Sequence, residues 1–411
     1  VKISVCRSCG ASQFISVLDL GTTPLANSLL TAEQLSAPEP SFPLNVVMCA
    51  ACSLVQLDYT VPPEAMFSNY VYFSSFSTTM LDHAKTLVGQ VIADRALTAQ
   101  HRVIEIASND GYLLQYYKAA GVEVLGIEPA QNIAQVARDE KGIPTLTEFF
   151  GQALADHLAA DGTLADVIHG HNVMAHVPDI NGFVGGLKTI LKPGGVIVIE
   201  APYLKNLLDE VEFDTIYHEH IFYFSLTALD QVFARHGLTI FDVVLVPIHG
   251  GSLRIFAAHS AAEPRRQSVL DLLAEEATWG VSTPAGYEAF AQRVSHLKHT
   301  LVAALSDLKS QGKRIAVYGA SAKGSTLLNT FGITHDQIDF VVDRSTVKQG
   351  LYTPGTHLFI RPPSALLDEQ PDAVLLLTWN FAEEILAQQA EYIRRGGKFI
   401  IPLPEVRIVP A

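Results

Sequence analysis

The stretch HRVIEIASNDGYLLQYYKAAG (residues 101–121), continued by VEVLGIEPA (122–130), decides how the chain is to be read. Residues 103–107, apolar but for Glu105, have the length and flanking of a buried strand, 108–111 are small and polar, and the residues after them take up helical spacing. A second short apolar run follows and ends in Glu128. Strand, turn, helix, strand is the unit of an α/β sheet. Gly111 lets a ligand approach the turn, and a carboxylate at the end of the second strand can accept two hydrogen bonds from ribose hydroxyls. The dinucleotide fingerprint GxGxxG is absent, which counts against a pyrophosphate cofactor here. A polar turn belongs to every βαβ unit, so by itself the turn is also compatible with a purely structural role.

Further along, ADVIHGHNVMAHVPDI (165–180) supplies another strand and a polar crossing at its carboxyl end. LKPGGVIVIEAPY (191–203) supplies a Pro-Gly-Gly turn before another buried strand. Taken in order, these phrases resemble the class I S-adenosylmethionine methyltransferases, whose first strand ends in an acidic residue before a glycine-containing loop. The resemblance implies a Rossmann-like fold and cofactor contacts from Glu105, Ser108, Asn109, Asp110, Gly111, Glu128, Pro129 and Asn172.

The 411 residues exceed what one core usually organises, and 48% hydrophobic against 17% charged residues gives ample material to bury. The formal charge of −14 argues against a nucleic-acid partner, whose backbone demands clustered Lys and Arg. Runs such as GVIVIEA and DAVLLLTW have strand length rather than the roughly 20 residues needed to span a bilayer. VKISVCRSCG lacks the apolar core of a secretory signal, so a cytoplasmic protein without a membrane partner is expected, as a monomer or small homo-oligomer.

All four cysteines lie in the first 52 residues, as the CxxC pairs Cys6/Cys9 and Cys49/Cys52. Each pair can present two thiolates from one tight turn, and two such turns make the sulfur tetrahedron that zinc prefers. Buried free thiols and disulfides are the alternatives, the latter disfavoured in a cytoplasmic chain. With four thiolates no position is left for water or substrate, so a structural Zn2+ is expected. The polar, Pro-rich stretch between the pairs (TAEQLSAPEPSFPLN) reads as an inserted loop.

TIYHEHIFYFS (215–225) follows the methyltransferase-like strands and places Tyr217, His218, Glu219 and His220 in a row. Residues inserted beyond the carboxyl ends of a doubly wound sheet are placed to meet a ligand. An extended segment would aim His218 and His220 the same way, as metal ligands are, but it would aim Glu219 oppositely, and spacing offers no third ligand. Histidines hydrogen-bonded in a polar wall are a second reading. General-base catalysis is the third, since histidine titrates near neutrality and a carboxylate or phenol beside it tunes its proton affinity.

In the last third, polar EEATWGVSTPAGYEAF opens a helical linker, after which KRIAVYGASAKGSTLLNTFG (313–332) repeats the strand, glycine turn, helix pattern. Its turn, helix N-terminus and Lys323 suit phosphate oxygens. A nicotinamide-binding unit is the rival, though GASAKG is again not GxGxxG, and the next strand ends in Asp343 with no second feature to choose between them.

The order of a four-cysteine segment, the SNDG core, YHEH followed by aromatics, and YGASAKG resembles the sugar C-methyltransferases of deoxysugar biosynthesis over essentially the whole chain. The resemblance is to the dTDP-sugar 3-C-methyltransferase type. It implies an N-terminal zinc-binding domain (1–66), a methyltransferase domain (67–260) and a second Rossmann-like α/β domain for the nucleotide sugar (261–411). It implies His220 as the base that removes the C3 proton of a nucleotide-linked 4-keto sugar, with Tyr217, Glu219 and His176 beside it. It further implies substrate contacts from Tyr70 and Tyr72 of NYVYFSSFS, and from Tyr318, Ser321, Lys323, Tyr352, Trp379 and Asn380. Packing of a half-buried strand is an equal reading of the two N-terminal tyrosines. Methylation at C5 or oxygen, and a non-enzymatic zinc-ribbon module, remain the alternatives.

Overall fold

The computed structural model describes residues 1–62 and 74–410. Tyr70 and Tyr72 lie outside the described residues. The chain opens with β1 (Phe14–Pro24) and β2 (Ser41–Cys49), antiparallel, and β3 (Val55–Leu57) pairs with the end of β2. The Pro-rich stretch TAEQLSAPEPSFPLN (31–45) is a connection as far as residue 40, as its composition suggests, but its last five residues open β2. β1 and β2 account for about half of the interval between the cysteine pairs, and 25–40 connects them. Pro43 is tolerated because β3 covers only Val46–Met48, which leaves that edge of β2 unpaired at residue 43.

Helix α1 (Thr78–Arg95), capped by Ser77, leads into the middle sheet: β4 (Arg102–Ile106), α2 (Leu114–Ala119), β5 (Glu123–Ile127), α3 (Gln131–Asp139) and β6 (Thr145–Leu146). Then come α4 (Gln152–Ala160), β7 (Ala165–His171), α5 (Ile180–Ile190), β8 (Leu191–Pro202) and α6 (Leu204–Asp209). β9 (Phe222–Tyr223) leaves this unit to pair with β3 of the first sheet. After α7 (Leu226–Arg235), β10 (Leu238–Val246) and β11 (Ser252–His259) return as an antiparallel hairpin. The resulting order is β10-β11-β8-β7-β4-β5-β6, parallel from β8 to β6, with β11 antiparallel to β8. The central parallel strands are buried on both faces, which is why they read as continuous apolar runs.

The expected helical linker is two helices, α8 (Gln267–Trp279) and α9 (Pro284–Ser310). Gly280 ends the first in the left-handed conformation (φ 85°) and Pro284 opens the second. A third sheet follows: β12 (Ile315–Tyr318), α10 (Ala322–Phe331), β13 (Phe340–Val342), β14 (Ile360–Arg361), β15 (Ala373–Leu376), β16 (Lys398–Ile401) and β17 (Arg407–Val409). Its order is β14-β13-β12-β15-β16-β17, parallel except for β17.

Both parallel sheets reverse their strand order once, at β4/β7 and at β12/β15, and the crevice beyond such a reversal is where doubly wound sheets hold ligands. The first sheet joins the two units. Val17, Leu20, Val46 and Leu57 share a core with Phe213, Ile216, Tyr287, Phe290, Leu301 and Ile315, whereas Cys6, Cys49 and Cys52 pack with Met174, Ile221 and Phe222. Among the described residues no helix is long and apolar enough to cross a membrane.

Candidate active site

At the first reversal the turn after β4 winds through left-handed backbone at Ala107 (φ 55°), Asn109 (φ 49°) and Gly111 (φ 75°). A Cβ on Gly111 would lie 2.9 Å from Ile143 Cγ1, and one on Gly126 would lie 2.4 Å from Ser108 Oγ, so both positions need a bare Cα. Glu128 holds the turn from β5: its Oε2 accepts the Asn109 N–H at 3.0 Å and its Oε1 the Ala130 N–H at 2.9 Å, with Pro129 half-buried between. Each oxygen retains a further lone pair for an incoming hydroxyl.

Around this turn several buried oxygens have no hydrogen-bond partner among the described residues: both of Glu105, Ser108 Oγ, Asp110 Oδ1 and Asn172 Oδ1. Asp110 Oδ2 meets Lys141 at 3.3 Å. Burial, with the Asp110 and Glu128 carboxylates nearby, pushes the Glu105 carboxyl well above the usual range. A buried polar group without a partner costs about 1–3 kcal/mol. Such groups gathered in one crevice, with a carboxylate at the end of the neighbouring strand, fit the hydroxyl- and amine-rich S-adenosylmethionine.

The turn after β7 brings His176 into the same crevice. Ile221 donates its N–H to Ala175 O at 2.7 Å and Leu57 donates to Ile221 O at 2.8 Å, so the YHEH segment is sewn between this turn and the first sheet. His220 N–H bonds back to Tyr217 O at 2.9 Å, and this tight turn brings the two rings together, tilted by 36° with centroids 4.1 Å apart. The His176 ring meets that of His220 edge-on at 4.8 Å. Burial depresses His176 to about 4, against a weaker opposing hydrogen bond to the Glu219 main chain, so it is neutral at physiological pH. His220 Nδ1 lies 2.8 Å from Thr215 O. A carbonyl only accepts, so Nδ1 carries the proton and the neutral ring has its lone pair on Nε2.

His218 points elsewhere. Its Nε2 bonds Phe42 O at 3.2 Å and its ring packs edge-on against Phe42 at 5.9 Å, fastening the segment to β2. The two histidines therefore do not converge, and among the described residues the four cysteines form the single cluster with metal-ligand geometry. Glu219 is buried, and its Oε1 accepts from Asn27 Nδ2 at 2.6 Å.

At the second reversal, Ser321 caps α10 by accepting Gly324 N–H at 3.1 Å. Lys323 Nζ sits 4.6 Å from the centroid of the Trp379 ring, and Trp379 Nε1–H donates to Asp214 Oδ2 at 2.7 Å. Asp214 lies just ahead of Tyr217, so the C-terminal unit grips the segment that carries the histidines. Tyr318 ends β12 with a buried hydroxyl that has no partner among the described residues, and Asn380 is exposed beside Trp379. Tyr352 packs on Phe359 at 5.1 Å and bonds through its backbone to Leu30.

The four sulfurs lie within 4.8 Å of one another, with Cys6–Cys52 at 3.6 Å and Cys9–Cys49 at 3.5 Å. The edge of a tetrahedral thiolate site with Zn–S bonds of about 2.3 Å is roughly 3.8 Å, so the four thiols fit zinc.

Fold and crevice define a class I S-adenosylmethionine-dependent methyltransferase. Residues 80–243 match the family described as "Methyltransferase domain", residues 6–67 the "Putative zinc binding domain" and residues 247–404 the "C-methyltransferase C-terminal domain". The C-methyltransferase NovU of Streptomyces niveus is 38% identical over 410 residues, covering 100% of this chain and 97% of that one. A ubiquinone biosynthesis O-methyltransferase of Bartonella tribocorum is 28% identical over 98 residues, 24% of this chain and 40% of its own length. Magnesium protoporphyrin IX methyltransferase of Synechocystis, solved with bound S-adenosylhomocysteine, aligns over 44% of this chain and 83% of its own, at 13% identity and a TM-score of 0.36. The chain belongs to the C-methyltransferase family.

Reading the sequence alone missed Asn27 and Asp214. No motif surrounds Asn27, and Asp214 stands just ahead of YHEH among Asp209, Glu210 and Glu212, so nothing in the local sequence singles it out.

Proposed function

We propose that this C-methyltransferase methylates C3 of a nucleotide-linked 4-keto deoxysugar, of the dTDP type, with His220 as the base. The observation that carries this reading is the Nδ1–H of His220 held on Thr215 O at 2.8 Å, which leaves Nε2 as the proton acceptor. Methylation at carbon requires a carbanion or enolate, and a ketone at C4 acidifies the C3–H. Nε2 takes that proton and the electron pair moves into the enolate. Neutral His176 and the Tyr217 hydroxyl stand beside the ring to orient it and to donate to developing negative charge. S-adenosylmethionine, held by Glu105, the turn at 108–111, Glu128, Pro129 and Asn172, supplies an electrophilic methyl group when bound.

The nucleotide end is assigned to the second reversal, with Tyr318, Ser321, Lys323, Tyr352, Trp379 and Asn380 around it. Lys323 at the start of α10 supplies charge for a diphosphate. The four cysteines hold a structural Zn2+. Incubating the protein with a panel of nucleotide-linked 4-keto sugars and methyl-labelled cofactor, then locating the label by NMR, tests the reading: label at C3 supports it, and label at C5 or oxygen overturns it.

A further inference from the structure

The segment joining β1 to β2 belongs to the cleft, although no motif marks it. It is anchored to the C-terminal unit at both ends. Pro24 packs so closely on Gly355 that a Cβ there would lie 2.9 Å from Pro24 Cγ. Leu30 and Tyr352 exchange both backbone hydrogen bonds, at 2.9 and 2.8 Å, and Glu39 accepts from Gly355 N–H at 2.9 Å and meets His357 Nε2 at 3.0 Å. Between these anchors Ala26 and Leu29 face the glycine turn of β12 and α10, lining a cavity with Gly319, Ser321, Gly324 and Pro354. Asn27 reaches the other way, and its amide donates to Glu219 Oε1 at 2.6 Å.

We propose that Asn27 is a positioning residue for the active site, holding the Glu219 carboxylate ionised and fixed from a segment locked to the opposite, nucleotide end of the cleft. This rests on the reading of Glu219 as an active-site group. Burial favours the neutral carboxyl, and the Asn27 hydrogen bond opposes it. An amide suits that task because it donates to the ionised form without titrating itself. The titratable neighbours of Glu219 in the chain are Tyr217, His218, which is turned onto Phe42, and His220, and His176 from the turn after β7 bonds to its main chain. Residues 24–30 contribute none. An ionised Glu219 next to His220 in the chain favours the imidazolium formed when the base takes its proton.

Asn27 is itself exposed, so replacing it removes little packing. Asn27→Asp keeps the shape and deletes the donor, whereas Asn27→Ala deletes the side chain. The direct readout is the 13C titration of the Glu219 side-chain carboxyl, its resonance assigned by its loss in Glu219→Gln. Both Asn27 variants are expected to move the midpoint upward. With a dTDP-linked 4-keto deoxysugar, the acid limb of turnover should move up with it, and turnover on that limb should fall about ten- to hundredfold while the KM for S-adenosylmethionine holds. An unchanged Glu219 midpoint in both variants overturns the proposal. Full turnover in Glu219→Gln would instead sink the active-site role of Glu219, and the titration would still decide what Asn27 does.

Discussion

The indole N–H of Trp379 donates to Oδ2 of the fully buried Asp214 at 2.7 Å, tying the strand reversal of the C-terminal sheet to the segment that presents Tyr217 and His220. Trp379→Phe keeps the ring but leaves that carboxyl without its donor, and the other oxygen of Asp214 already has no partner among the described residues. We expect a loss of about 1–3 kcal/mol in urea unfolding. Asp214→Asn combined with Trp379→Phe should lose less than the two single changes together. Additive losses in that cycle would contradict a direct coupling.

Glu128 has two tasks, holding the N–H groups of Asn109 and Ala130 and offering lone pairs to a ribose. Glu128→Ala should weaken S-adenosylmethionine binding by about ten- to hundredfold in calorimetry, since both the turn and the hydroxyl acceptor are lost. Affinity within twofold of the parent protein would place the cofactor elsewhere.

The cysteine cluster shares its core with Ile221 and Phe222, immediately after His220, so the metal should matter beyond its own segment. The purified chain is expected to carry one zinc per molecule by elemental analysis. Chelation, or Cys52→Ser, should lower the melting temperature and reduce turnover together. Metal content well below one per chain, with full stability, would refute the zinc site.

Burial raises the Glu212 carboxyl to about 7, with Lys323 opposing. A folded-state pKa above the unfolded value means that its stabilising contribution is complete below about pH 4.5 and is lost as pH rises through 7. The neutral isostere Glu212→Gln should therefore match the parent protein near pH 5 and exceed it near pH 8, by on the order of 3 kcal/mol at most. Parallel stability curves across that range would show that Glu212 is ionised at little cost.

The β4 turn, Glu128 and the two CxxC pairs were legible because each is a local pattern whose geometry is set within a few residues. YHEH was legible as a row of polar groups beyond the sheet, but the partners of its members were not. His218 serves Phe42, 176 residues away in the chain, and Glu219 is held by Asn27, 192 residues away. Partners that distant are chosen by how β9 leaves the middle sheet to join β3, and no local spacing encodes that excursion. Within the Pro-rich stretch 31–45, residues 31–40 form the connection that their composition suggests, whereas 41–45 join β2 because β1 pairs with them along one edge.

Solvent deuterium entering C3 of a dTDP-linked 4-keto deoxysugar, followed by NMR without S-adenosylmethionine, tests the central claim most directly. The account predicts exchange at C3 with the parent protein and a fall of about 10²–10⁴-fold in His220→Asn, whose cofactor binding stays intact. Exchange that persists undiminished in His220→Asn would contradict it.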